Sequence, residues 1–220
     1  MNGTSCEVSV SESLPIEPAA ARAFWSRSAP RYDLSMWVLG WPLGPAGRLA
    51  AEEVRGAGRV LELAAGTGLV TRVLAPAVGE LEATDYAPGM VARLEDRLAS
   101  LPNVTVRQRD VYALDGPPRY DAVVAANLLH LLPDLDGALE RMIAVLRPGG
   151  RLVVPTYCHD ETGLARLVSA GMGRLGFPGQ RAFSLDALAG AVEAHGLRVR
   201  QRRVFAGVLP IGFVSADVPG

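Results

Sequence analysis

Short apolar runs alternate with longer helical patterns along the chain from Arg59 onward. Apolar residues recur at helical spacing between the short runs, as in Met90, Leu94 and Leu98. Each short run is bounded by Gly, Pro, Asp or Asn, and we predict strands at Val60–Leu63, Leu81–Thr84, Val104–Arg109, Ala122–Ala126 and Arg151–Thr156. This alternation predicts βαβ units in an α/β protein, with a mostly parallel sheet and helices on both faces.

The last third of the chain continues this pattern with a change of direction. Pro148-Gly149-Gly150 predicts a helix stop before the fifth strand. The glycine-rich stretch 163–180 predicts a helix followed by a mobile loop, and Ser184 predicts the start of a further helix. Two strand-like runs, Leu197–Phe205 and Val208–Ala216, meet at Ala206-Gly207, so we expect a hairpin and an antiparallel last strand.

The N-terminal part is patterned differently. Residues 1–16 are polar and predict a disordered or loosely docked tail, while 17–27 favours a helix that Pro30 interrupts. The aromatic stretch 32–41 either packs onto the core or caps a pocket. We therefore expect one domain over 17–220, with a helical cap at 17–57 and a substrate-side insertion at 157–183.

Composition narrows the function classes. The net charge is −1 without a Lys/Arg run, which argues against nucleic acid as a partner. Cys6 and Cys158 are too few and too far apart for a zinc site, so we expect no metal and a reducing, cytoplasmic location. No apolar run has the length of a membrane span, so we expect no integral membrane contact.

The segment from Arg59 to Gly68 joins a strand to a tight glycine turn. Small residues at Ala64–Gly68 let a ligand approach the backbone closely, and the following helix offers N–H groups. A dinucleotide fingerprint needs a third glycine where Thr71 stands, and the Glu62 carboxylate would repel a pyrophosphate. S-adenosylmethionine carries an ammonium and a sulfonium and no phosphate, so it suits this turn better than a nicotinamide dinucleotide.

Polar side chains also follow the other predicted strands. Ligands bind at the carboxyl ends of strands in open α/β sheets. Asp85 lies about twenty residues after the glycine turn, where an acidic side chain binds ribose hydroxyls, although an Asp there also serves as a helix cap. Two roles are equally open for Asp110: accepting a hydrogen bond from an adenine amino group, or lying in a solvated turn without contacting a ligand. Asn127 to His130 and Tyr157 to His159 follow the fourth and fifth strands.

Five segments in this order resemble the motifs of the class I S-adenosylmethionine-dependent methyltransferases, especially the small-molecule branch that includes the ubiquinone and menaquinone biosynthesis methyltransferases. The resemblance covers roughly residues 20–216 and implies a Rossmann-like, seven-stranded sheet with an antiparallel last strand. The five segments are Val60–Gly68, Glu82–Met90, Gln108–Val111, Tyr120–Asn127 and Leu146–Leu152.

The resemblance also implies a role for each matching residue. The methionine portion would be held at Glu62 and the turn, the ribose at Asp85, and the adenine near Tyr86, Met90, Asp110 and Val111. The implied cofactor-binding set is Tyr32, Glu62, Ala64, Gly66, Thr67, Gly68, Asp85, Tyr86, Met90, Asp110, Val111 and Asn127. Two positions depart from the family: Ala64 stands where many members have glycine, and Ala87 replaces the usual Ser or Thr helix cap.

The chemistry expected of this family is methyl transfer to a small, partly hydrophobic acceptor, leaving S-adenosylhomocysteine. His130 is our candidate general base, although a histidine there also hydrogen-bonds backbone. The acceptor itself stays open, as do O-, N- and C-methylation and a monomeric or homodimeric state. Substrate-side candidates are Trp25, Trp37, Tyr157 and His159. Two rivals remain open: a non-methylating reaction on the same cofactor, such as a cyclisation, and a non-catalytic partner-binding subunit.

Overall fold

The computed structural model describes residues 18–39, 43–174 and 179–220, with the backbone alone for residues 18, 30–39, 173 and 174. The predicted tail at 1–16 lies outside these ranges, as does Trp41. The side chains of Tyr32 and Trp37 are also outside what is described, so their predicted contacts stay predictions.

The described residues form seven α-helices and eight strands. The helices are α1 (Pro18–Leu39), α2 (Leu43–Glu53), α3 (Thr71–Leu74), α4 (Pro88–Leu98), α5 (Leu135–Ala144), α6 (Gly163–Arg174) and α7 (Leu185–Ala194). The strands are β1 (Arg59–Leu63), β2 (Glu80–Asp85), β3 (Val104–Gln108), β4 (Tyr120–Ala125), β5 (Leu146–Val153), β6 (Thr156–Tyr157), β7 (Arg198–Phe205) and β8 (Ile211–Asp217).

These strands form one mixed sheet in the order β3-β2-β1-β4-β5-β8-β6, with β7 paired to β8. The first five strands run parallel, and β8 is antiparallel to β5, β6 and β7. The mostly parallel sheet and its antiparallel last strand are confirmed. The carboxyl ends of β1, β2 and β4 consequently lie side by side at one edge.

The predicted fifth strand, Arg151–Thr156, is divided into β5 and β6. Both pieces pair with β8, and between them the Val154 N–H still donates to the Val214 carbonyl at 2.8 Å. Pro155 has no N–H to offer the ladder. Its carbonyl instead accepts the Asn127 N–H at 2.7 Å. The break therefore ties the end of β4 to the start of β6, where site residues are expected.

Two proline-based predictions are wrong. Pro30 does not interrupt the first helix, because α1 runs unbroken from Pro18 to Leu39. A helical proline leaves the carbonyl four residues earlier, here that of Ser26, without its usual donor. Gly89 packs against this carbonyl so closely that a Cβ there would lie 2.7 Å from the Ser26 oxygen. Contact with α4 thus stabilises α1 against a local helix breaker.

The segment Pro148-Gly149-Gly150 lies inside β5, not between α5 and the strand. Helix α5 ends at Ala144, and β5 already begins at Leu146. The register with β4 then jumps from Tyr120↔Leu146 to Ala122↔Arg151, and Gly149 has φ 72°. The glycines therefore form a bulge within the strand.

The core covers both faces of the sheet. Neighbouring residues of β1 point to opposite faces, so Leu61 and Leu63 pack with α5 and α7 while Val60 packs with α2 and α3. The predicted helices on both faces are confirmed. Because the central strands β1 and β4 are almost entirely buried, the polar groups that line a ligand site are left to the strand ends.

Candidate functional site

The turn after β1 bends as sharply as its small residues suggest. Gly66 and Gly68 have φ 59° and 86°, and a Cβ on Gly68 would lie 3.2 Å from a methyl of Leu94. Ala64 also has a positive φ, 52°, although it is not a glycine. Such backbone costs alanine about 1–2 kcal/mol and is typical of functional sites. The predicted tight turn is therefore present and strained.

A cavity of about 240 Å³ opens beside this turn, at the carboxyl ends of β1, β2 and β4. Eight of the predicted site residues line it: Trp25, Ala64, Asp85, Tyr86, Met90, Asp110, Val111 and Asn127. Glu62, Gly66, Thr67 and Gly68 belong to β1 and the adjoining turn and are not among its lining residues. His130, Tyr157 and His159 are not among its lining residues.

Glu62 is a buried carboxylic acid at the penultimate position of β1. Glu62 is 1% exposed, and neither of its side-chain oxygens has a hydrogen-bond partner among the described residues. Burial raises the pKa of Glu62 to about 8, with a smaller opposing effect from the nearby Thr71 hydroxyl. Thr71 lies near it without the geometry of a hydrogen bond. A carboxyl group held in this way stabilises a cation brought next to it.

Asp85 ends β2 and holds the turn in place. Its two carboxylate oxygens accept the N–H groups of Gly66 at 3.0 Å and Ala87 at 2.9 Å. Burial raises the pKa of Asp85 to about 6, and these backbone hydrogen bonds act in the opposite direction. The hydrogen bond to Ala87 fixes the backbone just before α4, and the helix start itself has no side-chain cap. A carboxylate accepts about four hydrogen bonds, so Asp85 retains capacity for ligand hydroxyls.

Asp110 lies in a turn and also lines the cavity, and its contact with adenine stays a prediction. Its carboxylate accepts the Tyr112 N–H at 3.1 Å and thereby caps the short 3-10 helix Val111–Ala113. Asp110 and Val111 also line the cavity. The carboxylate is therefore fixed at the cavity wall by a local turn.

Asn127 is the second strained residue at the site. It follows β4 with φ 52°, and neither polar atom of its side-chain amide has a hydrogen-bond partner among the described residues. Asn tolerates left-handed backbone better than most residues. Its amide lines the cavity. Ala64 and Asn127 thus place strained backbone at the ends of two adjacent strands.

His130 lies behind the cavity wall in a short helical turn, Leu129–Leu131. Its Nδ1 and the Thr156 hydroxyl are joined by a hydrogen bond of 2.9 Å. Its ring also packs against Tyr157 and His159, at centroid distances of 5.7 and 5.3 Å. Burial lowers the pKa of His130 well below its usual value, so the ring is neutral near pH 7. The structure brings three predicted residues together, one layer away from the cavity.

Sequence reasoning missed several residues of the wall. Arg109 lines the cavity and forms an ion pair of 3.3 Å with Glu82, a carboxylate that also accepts the Tyr120 hydroxyl. Its position directly before Asp110 was the available signal. Other missed wall residues are Ala21, Leu63, Tyr112, Ala126, Leu128, Leu131, Leu132, Pro133 and Gln180. Most are apolar, which gives the cavity a hydrophobic side near Leu128–Pro133.

Two further structural findings concern the described ranges 18–39, 43–174 and 179–220. No helix there combines the length and apolar character needed to cross a membrane. No cluster of three or more His, Cys, Asp or Glu side chains there has the arrangement of a metal site.

The chain matches a family model described as a methyltransferase domain over residues 60–150. It is 36% identical over 153 residues to the demethylmenaquinone methyltransferase of Thermus thermophilus, covering 66% of this chain and 69% of that protein. It is 31% identical over 150 residues to the demethylmenaquinone methyltransferase of Tropheryma whipplei, covering 67% of this chain. The chain spans less than two thirds of some curated relatives, 63% of the Tropheryma protein and 32% of another.

A solved structure with the same fold covers nearly the whole length of both chains. The 1,6-didemethyltoxoflavin-N1-methyltransferase of Burkholderia thailandensis superposes with a TM-score of 0.74, over 100% of this chain and 99% of that one, at 21% identity. That structure contains bound 1,6-didemethyltoxoflavin and S-adenosylhomocysteine. The motifs, the sheet order and the Thermus relative agree, and the chain belongs to the class I S-adenosylmethionine-dependent methyltransferases.

Proposed function

We propose that this protein transfers a methyl group from S-adenosylmethionine to a small, partly hydrophobic acceptor. The observation that carries the proposal is Glu62, a buried carboxyl group with no hydrogen-bond partner among the described residues, beside a strained glycine turn. Leaving such a group unpaired costs about 1–3 kcal/mol, which a cationic ligand offsets. The names of the demethylmenaquinone methyltransferase relatives support the same reaction.

The residues present fit this cofactor by the chemistry of their donors and acceptors. The orphaned Glu62 carboxyl suits the ammonium of the methionine portion, and Asp85 has acceptor capacity for two ribose hydroxyls. The apolar side chain of Met90 and the ring of Tyr86 suit the adenine face, with Asp110 fixed beside them. Asn127 would contact the methionine side through its unpartnered amide.

S-adenosylmethionine supplies an activated methyl group, so this chain has little covalent chemistry to perform. The apolar side chains near Leu128–Pro133 offer water few hydrogen-bond partners, and Ala64 and Asn127 after β1 and β4 line the same cavity. In-line displacement depends mainly on such alignment and desolvation. The role of His130 as general base stays a prediction, because its neutral ring lies behind the wall and not at it.

The finer features of the proposal rest on composition and on the lining of the cavity. We propose a cytoplasmic biosynthetic enzyme that acts as a monomer or homodimer and does not bind nucleic acid. A net charge of −1 without a basic run supports the last point. The apolar lining supports an acceptor with a hydrophobic ring or chain.

Calorimetric titration with S-adenosylmethionine and S-adenosylhomocysteine tests the proposal. We expect both ligands to bind with a Kd of about 1–100 μM. A matched pair of variants, Glu62→Gln at the site and Glu193→Gln on α7, separates a site effect from a general loss of charge. Failure of both ligands to bind the wild-type protein would overturn the proposal.

A further inference from the structure

The sheet has one covered and one open face where β2 and β3 lie side by side. On the covered face, leucines of α4 pack against Ala83 and Val106. Neighbouring residues of a strand point to opposite faces, so Glu82, Thr105 and Arg107 lie on the open face. Thr105 and Arg107 are exposed there. This edge of the sheet therefore presents polar side chains to solvent, whereas the central strands are buried.

Four guanidinium groups gather on the open face. We name this set the arginine face, and its members are Arg59, Arg107, Arg109 and Arg119. The Glu82 carboxylate lies among them, with the nearest guanidinium, that of Arg109, at 3.3 Å and two others at 3.8 and 3.9 Å. The ring of Tyr120 lies under two of the four, at 5.4 and 4.9 Å from its centroid. The side chains of the arginine face are thus held close together by a shared acid and a shared ring.

The arginine face keeps a net positive charge. Glu82 supplies one negative charge, and its Oε1 has no hydrogen-bond partner among the described residues. Glu80 and Asp115 supply two more beside the outer guanidinium groups. Four positive charges therefore meet three negative ones. The side chains of Arg59 and Arg107 are 42% and 59% exposed, so they remain accessible to further carboxylates.

An acidic segment precedes α1 in the sequence. Residues 1–17 lie outside the described residues, and their charged side chains are Glu7, Glu12 and Glu17. Residues 1–21 contain no Lys, Arg or His. Because the planar guanidinium of arginine pairs well with carboxylates, this segment is complementary in charge to the arginine face.

Helix α1 points its first residue toward the end of β3. Ala29 packs with Met90 of α4, and seven residues earlier the Arg22 guanidinium lies 5.7 Å from the centre of the Tyr86 ring. The Tyr86 carbonyl in turn accepts the side-chain N–H of Gln108, the last residue of β3, at 3.1 Å. A helix rises about 1.5 Å per residue, so α1 begins about 6 Å beyond Arg22. The acidic segment therefore leaves α1 near the β3 edge of the sheet.

The arginine face is within easy reach of this point. Arg107 directly precedes Gln108, and six residues separate Glu12 from the first residue of α1, enough to span about 20 Å when extended. The other arginine-rich strand, β7, lies at the far side of the sheet. Six strand spacings separate β3 from β7, or about 29 Å. Proximity therefore favours the arginine face over β7 as the partner of the segment.

We propose that the acidic segment 1–17 binds to the arginine face of its own chain. The inference does not depend on the proposed function. Exposed ion pairs are individually weak, but the covalent link to α1 gives the segment an effective concentration in the range of about 1 mM or more. Ala21 of α1 and Arg109 both line the cofactor cavity, so the bound segment runs beside its rim.

Salt should release this contact. The screening length falls from about 10 Å at 0.1 M ionic strength to about 3 Å at 1 M, and exposed charges are screened most. The contact is consequently formed at low ionic strength and lost at high ionic strength, whereas the packing of α1 on α4 is apolar and persists. This difference separates binding of the segment from the fold of the helix that follows it.

A nitroxide attached to Cys6 tests the proposal in the full chain. The other cysteine, Cys158, is fully buried, and burial raises the pKa of its thiol to about 12, so the reagent reacts with Cys6. At an ionic strength of about 0.1 M we expect the backbone amide signals of Arg59 and Thr105 to be lost through relaxation by the nitroxide. At about 1 M they should return. The signals of β7 should be unaffected at both.

A matched pair of variants separates the arginine face from general charge. Arg107→Gln and Arg198→Gln each remove one exposed arginine from an edge strand. We expect Arg107→Gln to lower the equilibrium constant of the contact by about 1.5- to 5-fold and Arg198→Gln to leave it unchanged. The double variant Glu7→Gln, Glu12→Gln should restore the Arg59 and Thr105 signals at low ionic strength.

Three results would overturn the inference. The first is loss of β7 signals in place of those of the arginine face, and the second is a signal pattern that is the same at about 0.1 M and 1 M ionic strength. The third is loss of signals when nitroxide-labelled chains without nitrogen-15 are mixed with unlabelled nitrogen-15 chains, because the segment would then bind a second copy. If Arg107→Gln does not fold, the salt series and the Glu7→Gln, Glu12→Gln variant decide the matter.

Discussion

Glu62 and Asp85 lie at the ends of β1 and β2, whereas His130 and His159 lie beyond the ends of β4 and β6. Both pairs are buried and ionisable, yet burial shifts them in opposite directions. It raises the pKa of Glu62 to about 8 and lowers the pKa of His159 to about 4. Glu62 and His159 are therefore both neutral in the ligand-free protein near pH 7, whereas Asp85, whose pKa burial raises only to about 6, is mostly ionised there.

The two regions differ in the ligand that each one suits. The carboxyl side combines a strained turn with two acids, the ionised Asp85 and the neutral Glu62, so a cationic ligand favours ionisation of Glu62 beside it. The histidine side is a cluster of three rings, His130, Tyr157 and His159, packed against one another. The region of Glu62 and Asp85 therefore suits a cationic ligand, whereas the region of His130 and His159 suits uncharged groups. Variants at each can break or sharpen this contrast.

The largest effect is expected from Glu62→Gln on cofactor affinity. Replacing the carboxylate leaves the ligand ammonium without its counter-charge in a buried site, which costs about 2–4 kcal/mol, or roughly 30- to 1000-fold in Kd. Titration with S-adenosylhomocysteine measures this change, with Glu193→Gln as the control. Affinity within about threefold of wild type would place the ammonium elsewhere.

The same substitution should stabilise the ligand-free protein at high pH. The folded-state pKa of Glu62 is raised from 4.5 to about 8, so between these values the folded protein holds a proton that the unfolded chain has lost. Stability therefore falls as pH rises through this window. At about pH 8 we expect Glu62→Gln to be more stable by roughly 1–3 kcal/mol, or about 2–10 °C in Tm. Thermal melts at about pH 5 should show no such gain.

His159 should show the opposite pH dependence. Its folded-state pKa is lowered from 6.5 to about 4, so below 6.5 the unfolded chain binds a proton that the folded protein does not. Stability is then lost as pH falls through this window. Removing the imidazole in His159→Gln should flatten the decline between about pH 6.5 and 4 by roughly 1–2 kcal/mol relative to wild type. If the free energy of unfolding fell with decreasing pH equally steeply in His159→Gln and His195→Gln, burial of His159 would not be the cause.

Asp85→Ala should affect affinity and stability together. The variant loses the acceptor for ligand hydroxyls and also the partners of Gly66 N–H and Ala87 N–H. We expect cofactor affinity to fall by about 1–3 kcal/mol, with a comparable loss of stability from the two released N–H groups. Calorimetry and urea unfolding measure the two losses. A loss of stability with unchanged affinity would make Asp85 a purely structural residue.

The smallest effect is expected at the strained turn. Ala64→Gly relieves a left-handed alanine at φ 52° but adds freedom to the unfolded chain. The two terms nearly cancel, and we expect a net gain of about 0–1 kcal/mol with cofactor affinity unchanged. Urea unfolding measures it. A loss above about 1 kcal/mol would show that the alanine methyl contributes packing that outweighs its strain.

The sequence predicted the parallel sheet and the acidic strand ends because both depend on short local patterns. Glu62, Asp85 and Asp110 each lie at or just after the end of a strand, and the structure places Asp85 and Asp110 in the cavity wall. The helix through Pro30 and the bulge at Gly149 were not predictable in this way. Contact with Gly89 and pairing with β4 override the local preference of proline and glycine there.

Long-range packing also explains what was missed at the site. His130 follows a strand end as a catalytic base would, but its ring turns away to meet Thr156, 26 positions later in the chain. Nothing near His159 in sequence marks it as a histidine without a partner. That property appears only when β4 and β6 are brought together through the Asn127–Pro155 hydrogen bond. The pairing of distant segments thus decides which polar residues are satisfied.

The most direct test of the central claim is the number of protons released when the cofactor binds. If Glu62 is neutral in the ligand-free protein and charged beside the ligand ammonium, binding at about pH 7 should release close to about one proton. Calorimetry with S-adenosylhomocysteine in buffers of different ionisation enthalpy measures this number. We predict release of about one proton from wild type and almost none from Glu62→Gln. Binding enthalpies that do not depend on the buffer in wild type would contradict the account.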